Sequence, residues 1–246
     1  MTIATIQLKK NKKLDQSSPD YSAEQELRHM RTQRLPHQFV PAKVAMFKRW
    51  FDVAAAGAGL LLFLPLFPLI ALAIKLESRG PVFFKQLRIG QALPSRTDVF
   101  MMIKFRTMAA DAEKRSGPVL ASKNDCRVTR VGKFLRKTRL DELPQFLNVL
   151  RGEMSLIGPR PERPSFCNRL EKQIPYFTDR TYGLKPGITG LSQIYQGYDE
   201  SLEDVKNKLG YDLSYTLSLN SVWNWLKADI SIVFGTIKVM ILGRGQ

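Results

Sequence analysis

The sequence predicts a helix-rich α+β protein that a broken N-terminal helix attaches to a membrane. A stretch of 22 residues from Val53 to Ile74 has no charged residue and is interrupted by Pro65 and Pro68. Helical periods of apolar residues recur in the second half of the chain. Two short runs rich in valine, isoleucine and phenylalanine predict strands between these regions.

Charge and composition exclude several classes of protein. The formal net charge of the 246 residues is +16, and 44% of them are hydrophobic, so the chain can bury a core and is not disordered as a whole. The mean hydropathy of −0.19 excludes a polytopic membrane protein. Cys126 and Cys167 are interpreted as free thiols. The basic excess favours a polyanionic partner, which can be nucleic acid, an anionic lipid surface or a phosphorylated substrate.

The N-terminal residues fall into two predicted segments. Residues 1–42 contain several lysines and have no lasting apolar period, so we expect a mobile basic arm without a signal peptide. Residues 43–78 contain the uncharged run, which as a helix would measure about 33 Å and reach across a bilayer core. Pro65 and Pro68 interrupt it, and basic residues flank both ends. These features favour a re-entrant helix-break-helix; a kinked span and a buried core helix are the alternatives.

The segments after the anchor alternate between predicted strands and helices. Strands are predicted at 82–85 and 99–105, and a short helix at 109–115 that Gly117-Pro118 stops. A helical period over 141–150 follows. Ser201 and Asp204 have the spacing of a capping box, which opens a helix that Gly210 can end.

The C-terminal segment predicts an amphipathic helix at the membrane interface. Trp223 and Trp225 lie beside its start, as is common where a helix meets lipid headgroups. One helical face carries only apolar side chains: Leu226, Ile230, Val233, Phe234, Ile237 and Ile241.

Adjacent carboxylates follow the most basic part of the chain. Thr138 is placed to cap a helix whose first turn holds Asp141 and Glu142. Acidic residues at a helix start are common for structural reasons alone. Here, however, six cations lie between 127 and 139, namely Arg127, Arg130, Lys133, Arg136, Lys137 and Arg139. Such a cluster can bind phosphate, and we expect it to lower the pKa of a neighbouring carboxylate and keep Asp141 ionised as a nucleophile or metal ligand.

Two further segments contain candidate anion ligands. In Gly158-Pro159-Arg160-Pro161-Glu162, two prolines restrict the backbone around one arginine, which lowers the entropy lost when its guanidinium binds phosphate. An ordinary turn is the alternative. In Lys185-Pro-Gly-Ile-Thr-Gly190, a turn-rich loop, the backbone amides could hold an anion, although this signal is weak taken singly.

Together these segments resemble, in their order and in their residues, the bacterial sugar transferase family, the monotopic polyprenyl-phosphate phosphoglycosyl transferases. The resemblance begins near Lys48 and extends to the C-terminus. It is carried by eight blocks: Lys48-Arg-Trp-Phe-Asp52, the Pro65-broken run, Gly80-Pro-Val-Phe-Phe, Lys104-Phe-Arg-Thr-Met108, Arg139-Leu-Asp-Glu-Leu-Pro-Gln145, Asn148-Val-Leu-Arg-Gly152, Met154-Ser-Leu-Ile-Gly-Pro-Arg-Pro161 and Lys185-Pro-Gly-Ile-Thr-Gly190.

The resemblance implies a role for individual residues. Asp141 matches the nucleophile, and Glu142 its partner near a catalytic Mg²⁺, so both are expected metal ligands. Pro65 matches the proline that turns the membrane helix back. The expected phosphate- and substrate-binding residues are basic: Arg160, Arg136, Arg106, Lys104 and Arg139.

The implied activity is transfer of a sugar 1-phosphate from a nucleotide diphosphate sugar, with uridine as the expected nucleoside, to undecaprenyl phosphate through a covalent aspartyl intermediate. Such a reaction initiates bacterial surface glycan synthesis, including that of exopolysaccharide. Residues 79–246 would form the transferase domain on the cytoplasmic face of the inner membrane. No nucleic-acid partner is expected, and a homo-oligomer is open. The competing interpretations are a non-catalytic basic protein that binds a membrane surface or nucleic acid, and an inactive relative that acts as an assembly partner.

Overall fold

The computed structural model describes residues 40–94, 96–109, 125–196 and 201–241. The predicted helix at 109–115 lies almost wholly outside these ranges, as does all but the end of the predicted arm. Two short 3₁₀ turns are present at Leu140–Glu142 and Phe177–Thr181. The helices and strands are α1 (Ala42–Phe63), α2 (Leu66–Glu77), β1 (Phe83–Ala92), β2 (Thr97–Phe105), α3 (Arg130–Lys137), α4 (Gln145–Leu150), β3 (Ser155–Ile157), α5 (Pro164–Gln173), β4 (Gly187–Thr189), α6 (Leu191–Tyr195), α7 (Leu202–Ser218) and α8 (Val222–Ile241).

The apolar run forms two helices that meet at a sharp bend. Helices α1 and α2 are inclined by 61° across Leu64 and Pro65. Pro68 does not break the chain as predicted, because it lies in the first turn of α2, where amide groups have no helical acceptor. Within the described ranges no helix alone has the length and apolarity to cross a membrane, whereas the bent pair meets both conditions together.

Polar side chains attach the first half of α1 to the rest of the protein. Arg49 donates to the carbonyls of Val149 and Leu150 at the end of α4, at 2.6 and 2.9 Å. Asp52 accepts from the amide of Leu156 in β3 at 2.9 Å. The basic flank before the apolar run therefore serves partly to hold α1 against the folded domain.

Strands β1 and β2 form an antiparallel hairpin in which Phe83 faces Phe105 and Ile89 faces Val99. Both predicted strands are confirmed, but β1 continues seven residues beyond 85, to Ala92. The extension is the buried part of the strand, since Gln86, Leu87, Ile89, Gly90 and Ala92 are all buried. The hairpin places Lys104, near the end of β2, beside the predicted carboxylates.

The short parallel pair β3 and β4 brings the predicted Pro-Arg-Pro segment against the Lys185–Gly190 loop. A Cβ atom on Gly187 would lie only 2.1 Å from the Gly158 nitrogen, so the close approach requires glycine. The amide of Gly187 donates to the carbonyl of Pro159 at 2.9 Å. This amide, predicted as part of an anion-binding loop, is thus used for strand pairing.

Helices α7 and α8 complete the fold. The capping box at Ser201 and Asp204 is confirmed. The predicted end at Gly210 is wrong: α7 runs through it to Ser218, since a single glycine weakens a helix without stopping it. The apolar face of α8 is confirmed, and most of its side chains are exposed, with Phe234 at 68% and Ile241 at 79%.

A buried polar network joins α8 to α1 and α7. The carboxylate of Asp229 pairs with Lys48 at 2.8 Å. It also accepts from the hydroxyl of Tyr215 at 2.6 Å and from the indole of Trp225 at 2.7 Å. Trp225, predicted to lie at the lipid interface, is therefore buried, whereas Trp223 is 65% exposed.

Candidate active site around Asp141 and Glu142

A tight turn after α3 positions the two carboxylates. Thr138 ends α3, and its hydroxyl donates to the Phe134 carbonyl at 2.9 Å. Thr138 is thus the C-cap of the preceding helix and not the N-cap that the sequence predicted. Arg139 then adopts a left-handed conformation, with φ of 59°, which is uncommon outside glycine. The chain reverses there into the 3₁₀ turn that holds Asp141 and Glu142, both buried.

Glu142 is the centre of a cluster of cations. Its Oε1 lies 2.7 Å from Lys104 Nζ and 3.4 Å from an Arg160 nitrogen, and its Oε2 lies 3.5 Å from an Arg139 nitrogen. Burial by itself would raise the pKa of Glu142, but the three cations outweigh it and hold the pKa well below its usual range. Glu142 is therefore ionised, and its carboxylate contacts cations from three separate segments of the chain.

Asp141 has a different environment from its neighbour. Within the described part of the chain, no group donates a hydrogen bond to its carboxylate. Burial raises the pKa of Asp141 to about 6, Lys104 opposes this rise, and the charge of Glu142 adds to it. A lowered carboxylate pKa is thus found at Glu142, but Lys104 and Arg160 cause most of it and only Arg139 comes from the basic stretch. For Asp141 the expected lowering is wrong, because burial dominates there. Asp141 is mostly ionised at pH 7 and free to react.

The other predicted basic residues are held in different ways. Arg136 donates through Nε to the Thr107 hydroxyl at 2.9 Å, and its charge lowers the pKa of Asp141. Arg106 is buried and donates to the carbonyls of Arg79 and Ser78, at 2.6 and 2.8 Å. The guanidinium of Arg106 therefore fixes the end of α2, and its predicted contact with substrate phosphate stays a prediction.

Basic residues of the 127–139 stretch other than Arg136 and Arg139 point elsewhere. Arg127 pairs with Asp125. This pairing lowers the pKa of Asp125 to about 2, although burial acts in the opposite direction. Arg130, Lys133 and Lys137 are exposed. The local density of charge in the sequence thus overstates the number of cations at the carboxylates, and the structure adds Lys104 and Arg160 from distant segments.

Buried ion pairs and hydrogen bonds from residues outside any motif support the Pro159-Arg160-Pro161 segment. Arg180 donates to the carbonyl of Arg160 at 2.8 Å and pairs with Asp212 at 2.9 Å. Arg88 donates to the carbonyl of Pro161 at 3.0 Å. The backbone around Arg160 is thus bonded on both sides, while 36% of the Arg160 side chain stays exposed.

Glu162 completes this support. It pairs with Lys208 at 3.0 Å and with Arg180 at 3.7 Å. Burial would raise the pKa of Glu162, but Lys208, Arg180 and Arg88 lower it to about 2. Arg180 and Asp212 sit far apart in the chain, in segments without a motif, so only the fold brings them together.

The carboxylates fit the ligand set of a magnesium ion that also binds substrate. No group of three or more histidine, cysteine, aspartate or glutamate side chains converges anywhere in the described ranges. Magnesium needs only one or two protein carboxylates when phosphate oxygens and waters complete its octahedron. Asp141, buried and without a donor from the described residues, offers such a ligand, and Glu142 is the adjacent one.

Comparison with known proteins assigns the family. The chain matches the bacterial sugar transferase family over residues 43–243 and belongs to that family. It is 43% identical over 201 residues to the UDP-N-acetylgalactosamine-undecaprenyl-phosphate N-acetylgalactosaminephosphotransferase of Aeromonas hydrophila, covering 82% of this chain and 45% of that protein. It is 41% identical over 202 residues to the UDP-glucose:undecaprenyl-phosphate glucose-1-phosphate transferase of Caulobacter vibrioides, covering 80% and 71%.

Relatives differ in length and in the sugar they are named for. The exopolysaccharide production protein PSS of Rhizobium leguminosarum is 36% identical over 212 residues, which cover 82% of this chain and 98% of that protein. By contrast, the chain spans less than half the length of the Aeromonas protein and 39% of a UDP-glucose:undecaprenyl-phosphate glucose-1-phosphate transferase of Klebsiella pneumoniae.

Proposed function

We propose that this protein transfers a sugar 1-phosphate from a UDP-sugar to undecaprenyl phosphate, as its relatives are named to do. One observation carries the proposal at the level of chemistry. A buried carboxylate, Asp141, has no donor from the described residues and lies next to Glu142, which holds Lys104, Arg139 and Arg160. Such a site combines a nucleophile with the positive charge that phosphate transfer requires.

The reaction that fits these groups has two displacements on one phosphorus atom. In the first, a carboxylate oxygen of Asp141 bonds to the β-phosphorus of the UDP-sugar, and the bond from that phosphorus to the bridging oxygen breaks, so UMP leaves. In the second, an oxygen of undecaprenyl phosphate attacks the same phosphorus and releases the Asp141 carboxylate. The product is undecaprenyl diphosphate sugar, and UMP departs before the second anion must approach.

The basic residues would reduce the repulsion between these anions. Lys104 and Arg160 lie within bonding distance of Glu142 and act electrostatically on Asp141, so both can reach a phosphate bound there. Arg160 has the geometry to bind phosphate with two nitrogens. Asp141 and Glu142 are the carboxylates that would hold Mg²⁺, which when bound neutralises charge on phosphate oxygens.

We further propose that α1 and α2 enter and leave the cytoplasmic leaflet of the bacterial inner membrane on the same side. The 61° bend at Pro65, the basic residues at both ends and the exposed apolar face of α8 support this arrangement. It would place the carboxylates near the headgroup of a lipid phosphate that cannot readily leave the bilayer.

Cysteine labelling tests the topology. In a Cys126→Ser background, which removes the exposed native thiol, Lys43→Cys places an exposed thiol in the first turn of α1 and Arg79→Cys places one just after α2. Both should react with a membrane-impermeant maleimide only in inverted vesicles. Labelling from opposite sides of the membrane would contradict the re-entrant arrangement and favour a kinked span.

UMP release tests the activity. Purified protein in detergent is incubated with undecaprenyl phosphate, Mg²⁺ and a panel of UDP-sugars, because the relatives are named for different sugars. We expect UMP and an organic-extractable sugar lipid with one of these donors, loss of both with Asp141→Asn, and loss with a chelator. Absence of UMP with every donor, from protein that stays folded, would contradict the proposed activity.

A further inference from the structure

A cavity of about 310 Å³ opens beside Glu142, between α1, α4, α6, α8 and β4. Its walls are mostly apolar, with side chains that include Phe51, Phe146, Ile188 and Val239. Arg139 and Glu142 also line it. The cavity is therefore lined mainly by apolar side chains and also by two charged residues of the candidate active site.

The polar groups in the walls leave few contacts for a polar ligand. The hydroxyls of Thr189 and Thr236 bond to each other at 2.8 Å. Gln193 supplies the remaining uncharged polar side chain of the lining. A uridine or sugar placed among these walls would leave most of its hydrogen-bonding groups unpaired, which disfavours either of them as the occupant.

The outer wall of the cavity belongs to the exposed apolar surface of the protein. Val233 and Met240 of α8 line the cavity and are 40% and 41% exposed. Phe51 of α1 lines it from the opposite side and is 46% exposed. An apolar chain that lies along these helices can therefore enter the cavity without crossing a polar surface.

The charged part of the lining suits an anion. The charge of Glu142 is already matched by its three cations, and 25% of the Arg139 side chain remains exposed. A ligand that matches this lining is thus mostly apolar and carries a negative charge near Arg139. A polyprenyl phosphate has this distribution of charge, with the phosphate next to the first isoprene unit.

We propose that this cavity binds the isoprene units nearest the phosphate of the polyprenyl acceptor, with the phosphate at Arg139 and Asp141. The inference rests on the proposed function for the identity of the ligand. A volume of 310 Å³ is at the low end of about 300–1,000 Å³ for ligand pockets, so only a short part of the chain enters and the remainder stays in lipid. The nucleotide sugar then approaches from the side of Lys104 and Arg160.

Photocrosslinking tests the site without requiring turnover. A polyprenyl phosphate with a diazirine in its first isoprene unit is irradiated with the wild-type protein in lipid nanodiscs, and labelled peptides are mapped by mass spectrometry. We expect labels on wall residues such as Phe146, Ile188 and Val239. Labels confined to outward side chains such as Leu61 and Phe234 would overturn the assignment.

Matched tryptophan variants on α8 test the same site by kinetics. Val239→Trp fills the cavity, whereas Ile237→Trp adds the same bulk on the same helix outside it. We expect Val239→Trp to raise the KM for undecaprenyl phosphate by about tenfold or more, equivalent to about 1.4 kcal/mol, and to leave the KM for the UDP-sugar unchanged. Val239→Phe should have a smaller effect of the same kind, and Ile237→Trp none.

The two readouts separate this inference from the proposed function. Equal acceptor KM values for the two tryptophan variants, or a raised KM for the UDP-sugar with Val239→Trp, would overturn the cavity assignment. A wild type that performs the transfer but is labelled only on outer faces overturns the site and keeps the function. A wild type that is labelled in the cavity but transfers no sugar phosphate contradicts the function and keeps the site.

Discussion

Substituting the two adjacent carboxylates should change stability in opposite directions. Asp141 is buried without a donor from the described residues, whereas Glu142 is buried among three cations. The charge of Asp141 therefore destabilises the folded state, and the charge of Glu142 stabilises it. We expect Asp141→Asn to be more stable than the wild type at pH 8 and Glu142→Gln to be less stable.

The magnitude for Asp141 follows from its pKa. Burial raises this pKa from 3.8 to about 6, and each tenfold change in proton affinity is worth about 1.4 kcal/mol. The ionised carboxylate thus lowers the free energy of unfolding by up to about 3 kcal/mol above pH 6. As pH falls from 6 toward 4 the folded state becomes protonated and most of the penalty is lost, and well below pH 4 the group is protonated in both states and the penalty disappears. At about 2–4 °C per kcal/mol, Asp141→Asn should raise Tm by up to about 6–12 °C at pH 8.

Thermal unfolding in detergent between pH 4 and pH 8 measures this difference. The Tm advantage of Asp141→Asn should shrink as pH falls from about 6 to about 4. Glu142→Gln is the matched control, because it leaves Lys104 and Arg160 without their carboxylate, and we expect it to lose about 3–5 kcal/mol at pH 8. An Asp141→Asn protein no more stable than the wild type at pH 8, or one whose advantage is the same at pH 4, would refute the assignment of charge and burial.

Three further substitutions test the support of the site and the attachment of the helices. Arg180→Lys keeps the charge facing Asp212 but loses the guanidinium group that donates to the Arg160 carbonyl at 2.8 Å, and should lower kcat about 10- to 100-fold in protein that remains folded; an unchanged kcat would contradict the positioning role. Asp229→Asn leaves the buried charge of Lys48 unpaired and should cost about 3–5 kcal/mol in denaturant unfolding; wild-type stability would show that the network contributes nothing. Gly187→Ala would place a Cβ 2.1 Å from a backbone nitrogen, and should fail to give protease-resistant protein; normal resistance would mean that this backbone can separate.

Local chemistry in the sequence was sufficient to predict several elements. A proline in a long apolar run predicts the break at Pro65, and the spacing of Ser201 and Asp204 predicts the start of α7. The exposed apolar face of α8 follows from its helical period. In each case the cause lies within a few residues of the effect, so neighbouring residues are enough to predict it.

Features that depend on distant residues were not predictable in this way. The pKa of Asp141 depends on how deeply the fold buries it, which a list of neighbouring cations does not reveal. Arg106 can bind the carbonyls of Ser78 and Arg79, just after α2, only because β2 ends beside that helix. Arg180 donates to the carbonyl of Arg160 and pairs with Asp212, and both residues belong to segments without a recognisable motif.

Intact-protein mass spectrometry tests the central claim most directly. The wild-type protein is incubated with its UDP-sugar and Mg²⁺ in the absence of undecaprenyl phosphate, then quenched and weighed. We predict an added mass equal to one sugar phosphate, mapped to Asp141, absent from Asp141→Asn and lost when undecaprenyl phosphate is added. A protein that turns over with both substrates yet never carries this adduct, or that carries it at another residue, would contradict Asp141 as the nucleophile.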